Sequence, residues 1–238
     1  MYIDKILIQE FCLGFYGYGN LNADYWFIGM EEGGKNTIQE FYKNYIESWD
    51  KKESVDFLKG LNEETEQMYF SDNAKIQRTW GGIINILLSI ENIPINRENI
   101  IDYQKTRLGR IIGNNLLLEL LPLPHRSISE WDYHSLELPY FDTRRNYRKY
   151  YLPKRIEHII NLLKVSNPKV VVFLGVSKPY LKSWREIIGF KKNDDITFPF
   201  IKKIERTVFV ICKHPAAYGI NGNYYPEIGI NIRNLLII

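Results

Sequence analysis

The sequence predicts an α/β fold, a three-layer α/β/α sandwich with a central, mostly parallel sheet of about four strands. Three observations carry this. Four apolar runs, at 24–29, 115–121, 170–175 and 207–212, are nearly continuous rather than alternating, as in strands buried on both faces. Segments with apolar residues at helical spacing separate the runs, so strands and helices alternate as parallel crossovers require. Finally, the runs end on glycine, proline or a Lys-His-Pro turn, and in such sheets ligands bind beyond the carboxyl ends of the strands.

The elements follow in order. Asp24-Tyr-Trp-Phe-Ile-Gly29 is the first core strand, and a glycine-bearing loop leads from it to a helix with Ile38, Phe41, Tyr42, Tyr45, Ile46 and Trp49 on one face. Thr37 followed by Glu40 three residues later is a capping box for that helix. Residues 51–75 are polar and weakly patterned, fitting a helix plus loop over the sheet. Ile83, Ile84, Leu87 and Leu88 mark the next helix, and 115–121 is a second buried strand ended by Pro122 and Pro124. Pro153 is expected at the first position of a helix that buries Ile156, Ile159, Ile160 and Leu163. The third strand ends at Gly175, after which Ser177 caps a helix carrying Leu181, Trp184 and Ile188. The fourth ends at Cys212, before Lys213-His214-Pro215, and Pro226 begins the last helix. Neither an internal repeat nor a Pro-, Gly- or Ser-rich linker divides the chain, so residues 1–238 are expected to form one domain.

Composition narrows the function classes. A hydrophobic fraction of 45% with 25% charged residues is that of an ordinary globular protein. No apolar run reaches the roughly 20 residues that span a bilayer, and the N-terminus has no secretory pattern, so a cytoplasmic protein without a membrane partner is expected, as a monomer. Cys12 and Cys212 are the two cysteines, far apart and without His at ligand spacing, which argues against a disulfide framework, a metal site or an iron-sulfur cluster. The net charge of +3 is mild, but its distribution is uneven. Arg144, Arg145, Arg148, Lys149, Lys154 and Arg155 face a single acid, Asp142, with Tyr140, Tyr147, Tyr150 and Tyr151 interleaved. Such a run is either a solvated helix face or a phosphate-binding patch, in which Arg144, Arg145, Arg148 and Lys149 would contact nucleic acid.

Two strand-end loops can carry chemistry. Gly29-Met-Glu-Glu-Gly-Gly-Lys35-Asn36 partly matches a phosphate loop, but Asn36 replaces the magnesium-holding Ser or Thr, and Glu31 and Glu32 would face a polyphosphate. What remains is a strand that delivers two acids into the crevice, or a βα turn with solvated acids. At the end of the fourth strand, His214 is either a hydrogen-bonded structural residue or, with a carboxylate opening on the same crevice, half of an acid/base or electrostatic pair.

These motifs together resemble the uracil-DNA glycosylase superfamily. Gly29-Met30-Glu31-Glu32-Gly33 is similar to the family's first strand-end loop, His214-Pro215 to its late His-Pro loop, Asn114-Asn115-Leu-Leu-Leu-Glu119-Leu-Leu-Pro122 to its base-reading strand, and Val171-Val-Phe-Leu-Gly175 to a further strand ending in Leu-Gly. The matches run in order from Trp26 to Tyr218. The resemblance implies hydrolysis of the bond between sugar and uracil or another modified base in DNA, single- or double-stranded, without a cofactor. Glu31 then takes the catalytic carboxylate position and His214 donates to the departing base. Gly29, Met30, Glu32, Gly33, Asn115 and Pro215 line the substrate site, with Glu119 as the alternative to Asn115 under a one-step change of alignment. Trp80 or Tyr42 would supply the aromatic platform for the extruded base, although core packing suits either. The chain departs from the pattern in having Glu32 for the usual Pro and Ala216 for the Ser after His-Pro. Two other functions stay open: a catalytically silent nucleic-acid binder of this fold, and a hydrolase of free nucleosides or nucleotides.

Overall fold

A computed structural model describes residues 2–33, 37–61, 63–125, 131–190 and 196–237. Among them the chain forms eight α-helices, α1 (Lys5–Gly14), α2 (Ile38–Phe41), α3 (Glu63–Phe70), α4 (Arg78–Ile90), α5 (Arg97–Thr106), α6 (Arg144–Ser166), α7 (Lys178–Ile188) and α8 (Tyr224–Ile237). Seven strands, β1 (Gly17–Gly19), β2 (Tyr25–Gly33), β3 (Ser54–Val55), β4 (Asn115–His125), β5 (Val170–Leu174), β6 (Phe200–Ile204) and β7 (Thr207–Cys212), join in one sheet. None of the described helices is long and apolar enough to cross a membrane.

The four expected strands are the parallel heart of this sheet, in the spatial order β4-β2-β5-β7. Their apolar runs have the burial that continuous patterns imply. Trp26, Ile28 and Met30 join Leu116, Leu118, Leu120, Val171, Phe173 and Ile211 in one cluster, while Phe27, Val170, Val172, Val208 and Val210 belong to another. Alternate residues of a strand point to opposite faces, so both faces are dry and both need helices. Ile156 and Ile159 of α6 with Trp184 and Ile187 of α7 complete the first cluster, and α1, α4 and α8 supply Ile8, Phe11, Ile84, Leu87, Ile228 and Ile232 to the second.

The sheet is wider than the expected four strands. The antiparallel β1 pairs with β4, β3 runs parallel to β1, and the antiparallel β6 closes the other side on β7. Their sequences conceal them: β1 is Gly-Tyr-Gly, β3 has two residues, and β6 places two lysines in a half-buried strand. Short or lysine-bearing strands are typical of sheet edges, where a partner strand must be discouraged.

Three proline expectations are corrected. β4 continues through Pro122 and Pro124 to His125, because the pairing with β2 becomes irregular between Glu31 and Gly33, and a proline costs no ladder bond where the ladder is broken. Pro153 lies inside α6 and does not open it. The helix begins instead at Thr143, whose Oγ1 accepts from the Asn146 N–H. Pro153 is exposed, on the side where water can solvate the carbonyl that loses its intrahelical donor. Pro226 sits in the first turn of α8, two residues after its start. The Thr37–Glu40 capping box forms as expected, although α2 is brief and passes into a π-helical turn at Tyr42–Ile46. Ser177 occupies the cap position of α7 without a side-chain bond.

Arg155 ties the layers together. It is fully buried, its Nε donates to the Leu120 carbonyl at 2.5 Å, Nη2 to the Glu119 carbonyl at 2.8 Å and Nη1 to the Cys12 carbonyl at 2.9 Å. The guanidinium also lies 4.0 Å from the centre of the Tyr16 ring. One side chain of α6 therefore holds β4 and the last turn of α1, whose carbonyls have no helical donor. Replacing Arg155 with methionine keeps the bulk and strands these three carbonyls, so urea denaturation should show a loss of about 3–5 kcal/mol. Lysine should not restore it, since one ammonium cannot match the fork.

Candidate functional site

Chain connectivity makes the end of β2 the expected place for a ligand. From β2 the chain moves to β4 on one side and later returns to β5 on the other, and at such a reversal the loops part beyond the strands' carboxyl ends. The first core strand does not end at Gly29 as expected: β2 runs four residues further, to Gly33, and Glu31 within it stands in register with Leu121. Its side chain is only 7% exposed.

Two arginines of α6 hold that carboxylate. Arg144 donates from Nη2 to Oε2, and Arg148 from Nη1 to Oε1 at 3.4 Å. They stand four residues apart, on one face of the first turns of the helix, and are 15% and 20% exposed. Half of the proposed phosphate patch is thus turned inward against an acid, while Arg145 and Lys149, one step round the helix, are exposed. Met30 is buried below, with its sulfur 4.0 Å from Arg148 Nη2. Burial pushes the Glu31 carboxyl above its ordinary value of 4.5, against the opposing pull of Arg144 and then Arg148.

Two glycines make room for neighbouring side chains. A Cβ on Gly29 would lie 2.4 Å from Glu119 Oε2, so the glycine lets the Glu119 carboxylate lie against the strand. At the end of β5, Gly175 has φ +122°, and a Cβ there would meet the Tyr180 ring at 2.4 Å. The Tyr180 hydroxyl is pushed up first by burial and then by the Glu31 charge, so it stays protonated and can donate.

His214 stands two residues beyond β7, and β5 lies between β7 and β2. Two strand spacings separate the ends of β2 and β7 by roughly 10 Å across the sheet. The Ala216 N–H donates to His214 Nδ1 at 3.1 Å, which places the ring proton on Nε2. Burial lowers the imidazole pKa from 6.5, so the ring is a neutral donor at pH 7. The loop is braced on both sides: the Tyr225 hydroxyl donates to the Lys213 carbonyl at 3.0 Å, and Arg78 Nη2 to the Ala217 carbonyl at 2.8 Å. Pro215 is buried against Gly82 of α4.

The other expected site residues are distributed as follows. Asn115 is at the amino end of β4, paired with Tyr25, and so at the opposite end of the strands from Glu31. Its Oδ1 accepts from the Gly109 N–H at 2.7 Å and its Nδ2 donates to the Arg107 carbonyl at 3.0 Å, which orders the loop before β4. Glu119, four residues on, takes the place beside Gly29 that the alternative alignment gave it. Trp80 packs edge-on to Phe57 and Tyr69, at 4.9 and 5.2 Å between ring centres. Tyr42 is buried, and its hydroxyl accepts from the Asp4 N–H at 3.1 Å. Gly33 is exposed, and the Glu32 side chain and the Gly34-Lys35-Asn36 stretch, with its phosphate-loop pattern, lie outside the described residues. Tyr180 carries no sequence signal, as an aromatic residue at the start of an amphipathic helix is ordinary. The inward turn of Arg144 and Arg148 was visible only as a four-residue spacing.

Among the described residues no group of three or more His, Cys, Asp and Glu side chains could hold a metal ion. No protein-family model matches this chain, and no curated protein matches it in sequence.

The raised Glu31 pKa has a consequence for stability. Between 4.5 and the higher folded value, the native state holds more protons at this group than the unfolded chain does. The group therefore makes stability rise as pH falls through that window, and fall as pH rises through it. Glu31→Gln should lack this contribution. Urea denaturation of both proteins from about pH 4 to 8 should show the variant gaining on wild type as pH rises through the window; parallel profiles would mean that Glu31 titrates as in water.

Proposed function

We propose that this chain is a uracil-DNA glycosylase-like hydrolase that breaks the N-glycosidic bond between deoxyribose and uracil or another modified base in DNA. The supporting observation is that Glu31 and a neutral, Nε2-protonated His214 both stand toward the carboxyl ends of the parallel strands flanking β5. Breaking the bond leaves positive charge on the sugar and sends the electron pair to the base. A carboxylate stabilises the first and orients the water that adds to the sugar carbon. An imidazole N–H stabilises charge on a base oxygen, and in a partly dehydrated crevice both effects are strong. The three-layer arrangement and the order of the four resembling motifs support the same reading.

Arg144 and Arg148 give the site a way to respond to DNA. In the free protein they neutralise Glu31. A backbone phosphate entering the crevice competes for them, and the carboxylate is released where the sugar arrives. The same pairing also supports a second reading, a nucleic-acid binder of this fold that does no chemistry, because a carboxylate held by two arginines is a poor base while the pairs last.

Single-turnover cleavage over a panel of modified-base oligonucleotides, with binding followed by anisotropy, tests the proposal. Wild type should cleave at least one substrate. Glu31→Gln should lower the rate on the order of 10²-fold or more while binding DNA as tightly or more tightly, since both arginines become available. His214→Ala should lower the rate without the gain in binding. Salt-dependent DNA binding with no cleavage across the panel would establish the silent binder. A folded wild type that neither binds nor cleaves DNA would reject both readings and favour a hydrolase of free nucleosides.

A further inference from the structure

The turn before α6 contains an aromatic side chain in an unusual position. The Phe141 N–H donates to the Leu138 carbonyl at 3.1 Å, closing a four-residue turn with Pro139 second and Tyr140 third. Tyr140 has φ +72°. Proline followed by a positive φ is the pattern of a type II turn, in which glycine or asparagine is the favoured third residue. A tyrosine there is strained, and such strain persists only where other contacts hold it.

The contact is a ring stack. Tyr140 lies on Tyr150 of α6 with ring centres 3.8 Å apart and 9° between planes. Lys154 Nζ is 3.2 Å from the centre of the same Tyr150 ring. Two groups this close cannot share a face, so Tyr150 is enclosed between Lys154 and Tyr140, and Tyr140 is the outer ring. It is 47% exposed. Arg145, Lys149 and Lys154 are exposed on the adjoining turns of α6. The acid of this segment, Asp142, already accepts from Asn146 Nδ2 at 2.8 Å.

We propose that Tyr140 is a stacking platform for an unpaired base of a nucleic-acid strand whose phosphates meet Lys149 and Lys154, the exposed cations nearest Tyr150 in α6. An outward ring, pre-stacked and rigid, beside exposed cations is the combination by which single strands are held without reading their sequence. A duplex does not offer the free base face that this ring needs. The platform lies outside the Glu31 and His214 pair and belongs to strand binding rather than to chemistry. It rests on the reading of this chain as a nucleic-acid-binding protein, and extends it by naming an unpaired strand as what α6 grips.

The test is anisotropy titration of the full chain with a fluorescein-labelled oligothymidylate of about 15 nucleotides, the matching duplex, and a strand of equal length with abasic sites at every internal position. Tyr140→Gly should stay folded with little change in thermal melting, because relief of the positive φ offsets much of the lost ring stack. It should nevertheless bind the thymidylate strand roughly tenfold more weakly or worse, with little change on the duplex or the abasic strand. Tyr140→Trp should retain wild-type affinity. Equal affinity of wild type and Tyr140→Gly for the thymidylate strand would overturn the platform while leaving the glycosylase reading intact. A loss of equal size on the abasic strand would also overturn it, since no base would be involved. Weakened strand binding with no cleavage of any modified base would sustain the platform and remove only the catalytic proposal. Absence of binding to any nucleic acid by folded wild type would overturn both.

Discussion

A single guanidinium, that of Arg155, joins two pieces of backbone that are remote in sequence from it and from each other, and the layout of the strand mouths depends on it. Its five donors in a rigid plane can serve several carbonyls at once, which an ammonium or an amide cannot. The carbonyls belong to Glu119 and Leu120, just where β4 approaches its irregular end, and to Cys12 in the last turn of α1. Burial pulls the guanidinium pKa down from 12.5, and nearby groups including Tyr16 and Glu119 oppose it. The charge is thus retained within the protein and becomes a fixed point. α6, clamped there, carries Arg144 and Arg148 two to three turns away to Glu31.

The same helix links the two apolar clusters. Tyr147 and Tyr151 belong to the cluster with α1 and α4, whereas Ile156 and Ile159 belong to the one with α7. A helix that contributes to both cannot lie wholly on one face of the sheet, and α6 passes beside β4. That course explains how residues from its first turns reach the carboxyl ends of β2 and β5. It also explains why a basic run divides into two environments. Arg144 and Arg148 are turned to an acid, and Arg145, Lys149 and Lys154 remain toward solvent, the last two nearest the Tyr140–Tyr150 stack.

The charges at the crevice are balanced by geometry. Glu31 is buried and pushed toward its neutral form, and two arginines act in the other direction. Tyr180 keeps its proton beside that carboxylate, and His214 keeps a neutral ring because of its burial. With Glu31 buried, small movements of Arg144 or Arg148 change its electrostatics strongly.

The parallel heart of the fold was legible because its signal is local. Four continuous apolar runs have no polar face to hide, and Gly175 and the His214-Pro215 turn mark carboxyl ends whatever the rest of the chain does, whereas β2 continues past Gly29 to Gly33. The edge strands were not legible, since Gly17–Gly19, Ser54–Val55 and Phe200–Ile204 acquire strand character only from the neighbour they pair with. Proline misled for the same reason: in 115–125 and at Pro153 the local cost was real, but an irregular ladder and an exposed helix face absorbed it. Of the candidate site, Glu31 and His214 were legible from their positions just beyond apolar runs. The sequence by itself determined the strand-helix alternation, the residue types at the strand ends and the basic, tyrosine-rich segment. Tertiary structure alone decided that Glu119 rather than Asn115 lies beside Gly29, that Tyr180 joins the mouth, and which of the six basic residues of that segment face an acid, the core or water. Those choices depend on register and helical phase, which are set by the burial of distant surfaces against one another and are written in no short stretch of chain.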